Sequence, residues 1–324
     1  MIVRWGLDEY ESLLDDLGIE RPLLVTTPRW TSLGLRAASL FEGARRHVPA
    51  ETVAAAAAVA DGCDGLVAVG GGSAIDTAKA VSARTAFPIV SIPTTYSGAE
   101  WTTNFGVRDE ERRRKGGGSG ARPVAILYEP RLTVTLPRGE TGGTALNALA
   151  HCAEALYVEG RNAAAEADAL AGAEKISGAL PRVLADGQDL DHRRELLAGA
   201  MHAGAALASA GLGLAHAMAQ ALGGRYGISH GAANALCLPP ALRFNAEVAK
   251  RELAALARAL GAREAGERAQ ELAELAGFSR LRDLSVPEAD LPRVAEEAVL
   301  RAGARANPRP ATAGDVLRLL RTVW

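Results

Sequence analysis

The segment GLVAVGGGSAIDTAK, residues 65–79, carries an apolar run that stops on Gly70, Gly71 and Gly72, followed by residues at helical spacing from Ser73 onward. An unbroken apolar run of this length predicts a strand buried on both faces, as in a parallel sheet. Three residues without Cβ at the following turn let a ligand approach the backbone N–H groups, and the positive end of the helix favours an anion. The turn therefore predicts a pyrophosphate cradle; the alternative is a glycine-rich connection with a packing role alone. Its glycine spacing is neither GxGxxG nor GxxxxGK[ST]. Asp76 and Lys79 stand three apart on one helix face, as a surface pair or a ligand-facing one.

Outward from this segment the texture repeats. IVRWG reads as a strand, LDEYESLLDDLG as a helix ended by Gly18, PLLVTT as a strand, RWTSLGLRAASLFEG as a helix, and Thr52 to about Asp61 as an Ala-rich helix. After the 65–79 unit, FPIVSIPTT is a further strand. Strands separated by helices indicate βαβ units, with ligands outside the carboxyl ends of the strands. The loops that matter are then TTP, GGGS and PTTYSGAE, where Thr94, Thr95 and Ser97 offer hydroxyls to a nucleotide. PLLVTT ends in Thr26 and Thr27 and has no acid for a ribose diol, so discrimination against a 2′-phosphate should be poor.

Residues 104–130 combine a charge run, a Gly/Ser stretch and an apolar strand, either a β-excursion or a plain surface loop. Beyond Pro137 strand signals vanish, and Gly143 to Trp324 reads as successive helices. The expected organisation is an α/β domain with a parallel sheet over 1–137 and an all-α domain over 138–324, with a cleft between them. The 324 residues carry a net charge of −2 with 23% charged side chains, which disfavours nucleic acid as a partner. Cys63, Cys152 and Cys237 form no CxxC, which fits a reducing compartment, the cytoplasm. No cationic leader and no run of 18 apolar residues is present, so no membrane association is expected.

In the helical half, Asn147 and His151 lie i, i+4 in TALNALAHCAEALY, and His216 and His230 follow in GLGLAHAMAQALGGRYGISHG. Three imidazoles and an amide oxygen make a set that zinc or ferrous iron accepts. The alternative for each is a buried histidine bonded to backbone, the reading given to His47, His192 and His202. Arg29, Arg225 and Arg243 read as solvated cations, with carboxylate binding as the alternative.

GGGSAIDTAK, the PTT loop, the helical histidines and SHGAANALCLPPALRFN resemble the iron-containing alcohol dehydrogenase superfamily, which shares its fold with dehydroquinate synthase. HVPAE, PTTYSGAEWT, LYEPRLTVTLP, LNALAHCAEALY, VPEADL and NPRPATAGDVLRLL are most similar to its maleylacetate reductases. The resemblance implies a Rossmann-like N-terminal domain, NADH or NADPH as cofactor, and reduction of the conjugated C=C of an unsaturated dicarboxylic keto acid by a homodimer. Gly70, Gly71, Gly72 and Ser73 then hold the pyrophosphate, Asp76 lies near the nicotinamide, Thr27, Thr94, Thr95 and Ser97 contact the nucleotide, and Lys115 is a cofactor-side lysine. Asn147, His151, His216 and His230 match the metal ligands of metal-dependent members. The first of those ligands is an aspartate in the family, and an amide in its place removes a negative charge, so no bound metal is expected, as in maleylacetate reductases.

An enolate formed by conjugate reduction can be stabilised by hydrogen bonds from these catalytic candidates in place of a Lewis acid. Gln220, Ala232, Asn234 and Pro240 depart from the reductase pattern. They keep two alternatives open, a metal-dependent alcohol dehydrogenase and a relative with non-redox lyase or cyclase chemistry.

Overall fold

The computed structural model describes residues 1–109 and 114–324. These fall into two compact units, Met1–Thr95 with Ala99–Thr133, and Tyr96–Gly98 with Val134–Trp324.

The first unit contains β1 (Ile2–Trp5), α1 (Tyr10–Asp16), β2 (Pro22–Val25), β3 (Ser39–Phe41), α2 (Ala50–Ala58), β4 (Gly65–Gly70), α3 (Gly72–Thr85), β5 (Pro88–Pro93), β6 (Phe105–Asp109), β7 (Arg114–Gly118) and β8 (Arg122–Tyr128). Among the described residues six strands form one parallel sheet in the order β1-β8-β5-β4-β2-β3. Every residue of β4 is buried, which accounts for its unbroken apolar run. Val67 and Val69 pack with Leu13, Leu14 and Ile92 on one face, while Leu66 and Ala68 pack with Ile75, Val81 and Ile89 on the other. The period-2 alternation of the strand thus feeds two cores.

Two local expectations are resolved here. The 104–130 stretch is a β-excursion, an antiparallel β6–β7 hairpin that returns through β8. The stretch from Arg29 to Gly43 is not one helix: a 3-10 turn over Pro28–Leu33 ends on Gly34 at φ 64°, and Ser39–Phe41 pairs with β2. The free edge of β2 offers this short segment backbone hydrogen bonds that outweigh its helical spacing.

The second unit contains α4 (Arg138–Ala155), α5 (Ala163–Ala185), α6 (Leu190–Ala210), α7 (Leu214–Tyr226) and α8 (His230–Asn245), then shorter helices between Lys250 and Thr322. Asn162, Asp189 and Ser229 cap α5, α6 and α8 by accepting from Ala165, His192 and Ala232 N–H. A break at Gly211–Gly213, with Gly211 at φ 89°, separates α6 from α7. None of the described helices is by itself long and apolar enough to cross a membrane. The three cysteines are buried and unpaired.

Helices α4, α5 and α6 approach one another through glycines. A Cβ on Gly172 would meet Cys152 Sγ at 2.8 Å and Gly199 O at 3.0 Å, and one on Gly199 would meet Ile176 Cγ1 at 2.8 Å. Overpacking costs ~1–3 kcal/mol, against ~1 kcal/mol gained from the helix propensity of alanine. Gly172→Ala and Gly199→Ala are therefore expected to destabilise the protein by up to about 2 kcal/mol in denaturant unfolding; unchanged midpoints would show that these helices have slack.

Candidate active site

In the first unit, β5, β4 and β2 are neighbours, so Thr94 and Thr95, Gly70 to Ser73, and Thr27 follow adjacent strands at one sheet edge. Gly70 takes φ 151° and its carbonyl accepts from Thr94 N–H at 3.0 Å. Gly71 precedes α3 without a side-chain cap, and a Cβ there would stand 2.9 Å from Thr95 Cγ2. Only glycine leaves that crevice open. Thr95 Oγ1 is buried without a partner. Uncapped N–H groups, a crevice that a Cβ would fill and an orphan hydroxyl fit the phosphates of a dinucleotide. No carboxylate ends β2; Thr26 Oγ1 donates to Val69 O and Thr27 precedes the 3-10 turn.

Asp76 and Lys79 are more than a surface pair. Lys79 is buried, donates to Thr102 Oγ1 and Asn104 O at 2.9 Å each, and lies 3.4 Å from Asp76 Oδ1. Burial lowers its pKa, opposed by the Asp76 carboxylate. Asp76 Oδ2 accepts from Gly106 N–H at 3.1 Å, tying α3 to the base of the hairpin. Lys115 stands in β7 opposite Arg108, but its side chain lies outside the described residues.

In the second unit, Asn147, His151 and Glu154 occupy one face of α4, four and three residues apart. Asn147 Nδ2 donates to Ser97 O at 3.2 Å and lies 3.4 Å from His151 Nε2. Asn147 Oδ1 accepts from Asn234 Nδ2 at 2.7 Å. An amide N–H facing Nε2 makes that nitrogen the acceptor, so the neutral His151 ring carries its proton on Nδ1. The His151 and His216 rings stack with centroids 4.7 Å apart and planes 13° apart.

Glu154, fully buried, accepts from Gly213 N–H at 2.7 Å and from His216 N–H at 3.2 Å, and its Oε2 lies 2.6 Å from His216 Nδ1. One carboxylate therefore caps α7 and turns its third residue's ring. His151 Nδ1, His216 Nε2, Ser97 Oγ and Asn234 Oδ1 are buried with no protein partner. His230, the first residue of α8, is exposed, although its charge still acts on His151. Gln220 is half-buried on α7, one turn after His216, and Pro240 lies buried inside α8.

Sequence reasoning named Asn147, His151 and His216 but missed Glu154, although its spacing after His151 places it on the same helix face. It gave Asn234 only as a departure. The arginines find other work: Arg225 lies 3.5 Å from both Asp290 and Glu297, Arg243 donates to Gln270, and Arg29 sits over Trp30. His202 and His192 pair with Asp168 and Asp189, both at 2.8 Å, in place of backbone groups.

The donor set fits a divalent ion poorly. Asn147 brings no charge and its oxygen is engaged by Asn234, Glu154 is spent on the far nitrogen of His216, and His230 stands at the surface. Among the described residues no three His, Cys, Asp or Glu side chains are arranged to hold a metal.

Burial, then the charges of His216 and His230, lower the His151 pKa well below the ordinary imidazole value. The unfolded chain therefore takes up this proton as pH falls through about 6.5, while the folded one does not. Stability from neutral His151 is complete above that value and is lost progressively below it. Thermal midpoints measured between pH 8 and 5 should fall less in His151→Gln than in the parent; parallel curves would refute the assignment.

The model for "Iron-containing alcohol dehydrogenase" matches residues 4–130, and that for "Fe-containing alcohol dehydrogenase family, C-terminal" matches residues 141–324. The chain is 33% identical over 336 residues to the maleylacetate reductase of Pseudomonas sp. strain P51, covering 99% of this chain and 95% of that protein. It is 35% identical over 318 residues to the maleylacetate reductase of Burkholderia cepacia, covering 95% and 90%. The crystal structure of maleylacetate reductase from Rhizobium sp. strain MTP-10005 superposes with a TM-score of 0.92 at 31% identity, covering 100% of this chain and 95% of that one. The chain belongs to the iron-containing alcohol dehydrogenase family and is an NAD(P)-dependent oxidoreductase.

Proposed function

We propose that the protein reduces maleylacetate to 3-oxoadipate with NADH or NADPH and without a metal ion. The observation that carries this reading is the buried Asn234–Asn147–His151 chain stacked on the Glu154-backed His216. Two orphan nitrogens on stacked imidazole rings suit an oxygen that gains negative charge as its neighbouring double bond is reduced. When bound, the reduced nicotinamide supplies a hydride.

His151 Nδ1–H then donates to the substrate's ketone oxygen, and the fixed Asn147 amide prevents the ring from exchanging tautomers. His216 Nε2 delivers the proton that completes reduction, while Glu154 at Nδ1 balances the charge of its protonated ring. This division of labour leaves no task for a titrating group at position 220, where Gln220 stands. Gly70 to Ser73, Thr94, Thr95 and Thr27 are assigned to the dinucleotide, and without an acid after β2 both coenzymes should serve. Identity of about one third to maleylacetate reductases over nearly the full chain supports the substrate class.

Coenzyme oxidation at 340 nm with maleylacetate tests the reading, with NADH and NADPH expected to support comparable rates. Nucleotide binding without oxidation would favour non-redox chemistry, and activity that appears only with stoichiometric iron or zinc would overturn the metal-free mechanism. His151→Ala and His216→Ala should each lower kcat by roughly 10²–10⁴-fold, with KM for coenzyme nearly unchanged. Asn147→Asp restores a charged oxygen ligand, so purified variant loaded with Fe(II) or Zn(II) should retain more metal than the parent by elemental analysis.

A further inference from the structure

Arg193 on α6 is 2% exposed, and among the described residues its guanidinium donates only to neutral oxygens. Nη1 reaches Tyr96 Oη at 3.0 Å and Thr141 Oγ1 at 3.2 Å, and Nε reaches Gly187 O at 3.0 Å. A cation buried without a counter-charge is costly, and an apolar side chain of similar length would fill the same space more cheaply. What it grips is informative. Tyr96, Ser97 and Gly98 run along one face of α4. Tyr96 N–H faces Thr144 Oγ1 at 3.4 Å, Ser97 O accepts from Asn147 Nδ2 at 3.2 Å, and a Cβ on Gly98 would lie 3.4 Å from His151 Nδ1. Arg193, itself anchored on Thr141, grips the Tyr96 hydroxyl at one end of this strap, and the Ser97 carbonyl at its centre orients the Asn147 amide.

We propose that Arg193 is a positioning residue: through Tyr96 it holds the Ser97 carbonyl on the Asn147 amide and thereby fixes the Asn147–His151 pair. Its effect on turnover rests on the proposed reduction; its effect on the His151 ring does not. Without the clamp, Tyr96 and Thr141 lose their shared donor, the strap shifts, and the Asn147 amide is free to rotate. Displacements of this kind cost up to about 100-fold in rate.

Arg193→Met keeps the length and apolar stem while removing the charge and donors. Its kcat for maleylacetate should fall between about tenfold and 100-fold, with KM for NADH unchanged. Combined with Asn147→Ala, it should cost less than about twofold further, since residues acting through one another are not additive. Tyr96→Phe, which keeps the ring, should behave alike in the same cycle and serves if Arg193→Met does not fold. Imidazole ¹⁵N spectra of His151 give a readout independent of turnover, with the Nδ1–H tautomer in the parent and a tautomer mixture in Arg193→Met. Parental kcat and tautomer in both variants, or full additivity with Asn147→Ala, would overturn the proposal. A parent inactive on maleylacetate, with the tautomer still changed by Arg193→Met, would remove the substrate assignment and uphold the positioning role.

Discussion

An amide can donate and accept at once but cannot take a charge, and the candidate site is arranged around that property of Asn147. Its nitrogen faces the Ser97 carbonyl and His151, and its oxygen faces Asn234. A carboxylate there would keep the Asn234 bond and turn an acceptor toward the Ser97 carbonyl, a repulsion that a bound cation or a proton relieves. The neutral group and the neutral imidazole beside it are therefore mutually consistent, and burial of His151 holds them so.

Around this centre α4 acts as a ruler. Thr141, Thr144, Asn147, His151 and Glu154 recur at helical spacing, and each meets a different partner: Arg193, Tyr96, Ser97, the His216 ring and the start of α7. Glycines at 172 and 199 keep α5 and α6 close, which brings Arg193 within reach of Thr141. Packing by small residues and placement of polar groups are thus one design, and the many alanines and glycines of the chain are what permit the close approach.

Much of this was legible in the sequence because it rests on local patterns. The 65–79 segment announces its strand, glycine turn and helix in consecutive residues, and the alternation of strand and helix follows from periodicity. Asn147 and His151 share a helix face by spacing alone. Arg29 to Gly43 has helical spacing in any local window, and its pairing partner, the edge of β2, lies outside that window. Asp76 and Lys79 stayed ambiguous because their partners, Gly106, Thr102 and Asn104, come from a later excursion. Arg193 gave no local signal, since a buried and a solvated arginine look alike in a helix. Its role is visible only once the chain brings Tyr96 back to α4.

The short link between α6 and α7 has a consequence for how such a chain can vary. Glu154 holds the Gly213 N–H, the His216 peptide N–H and the His216 ring at Nδ1, so the start of α7 and the direction of His216 are set by one carboxylate. Gly213 is also pressed against Gly303, where a side chain has no room. Connections between helices usually absorb insertions and deletions with little effect. Here a single added residue would rotate the histidine away from its carboxylate, so descendants of this chain can lengthen elsewhere but must keep Gly211 to Gly213 at constant length.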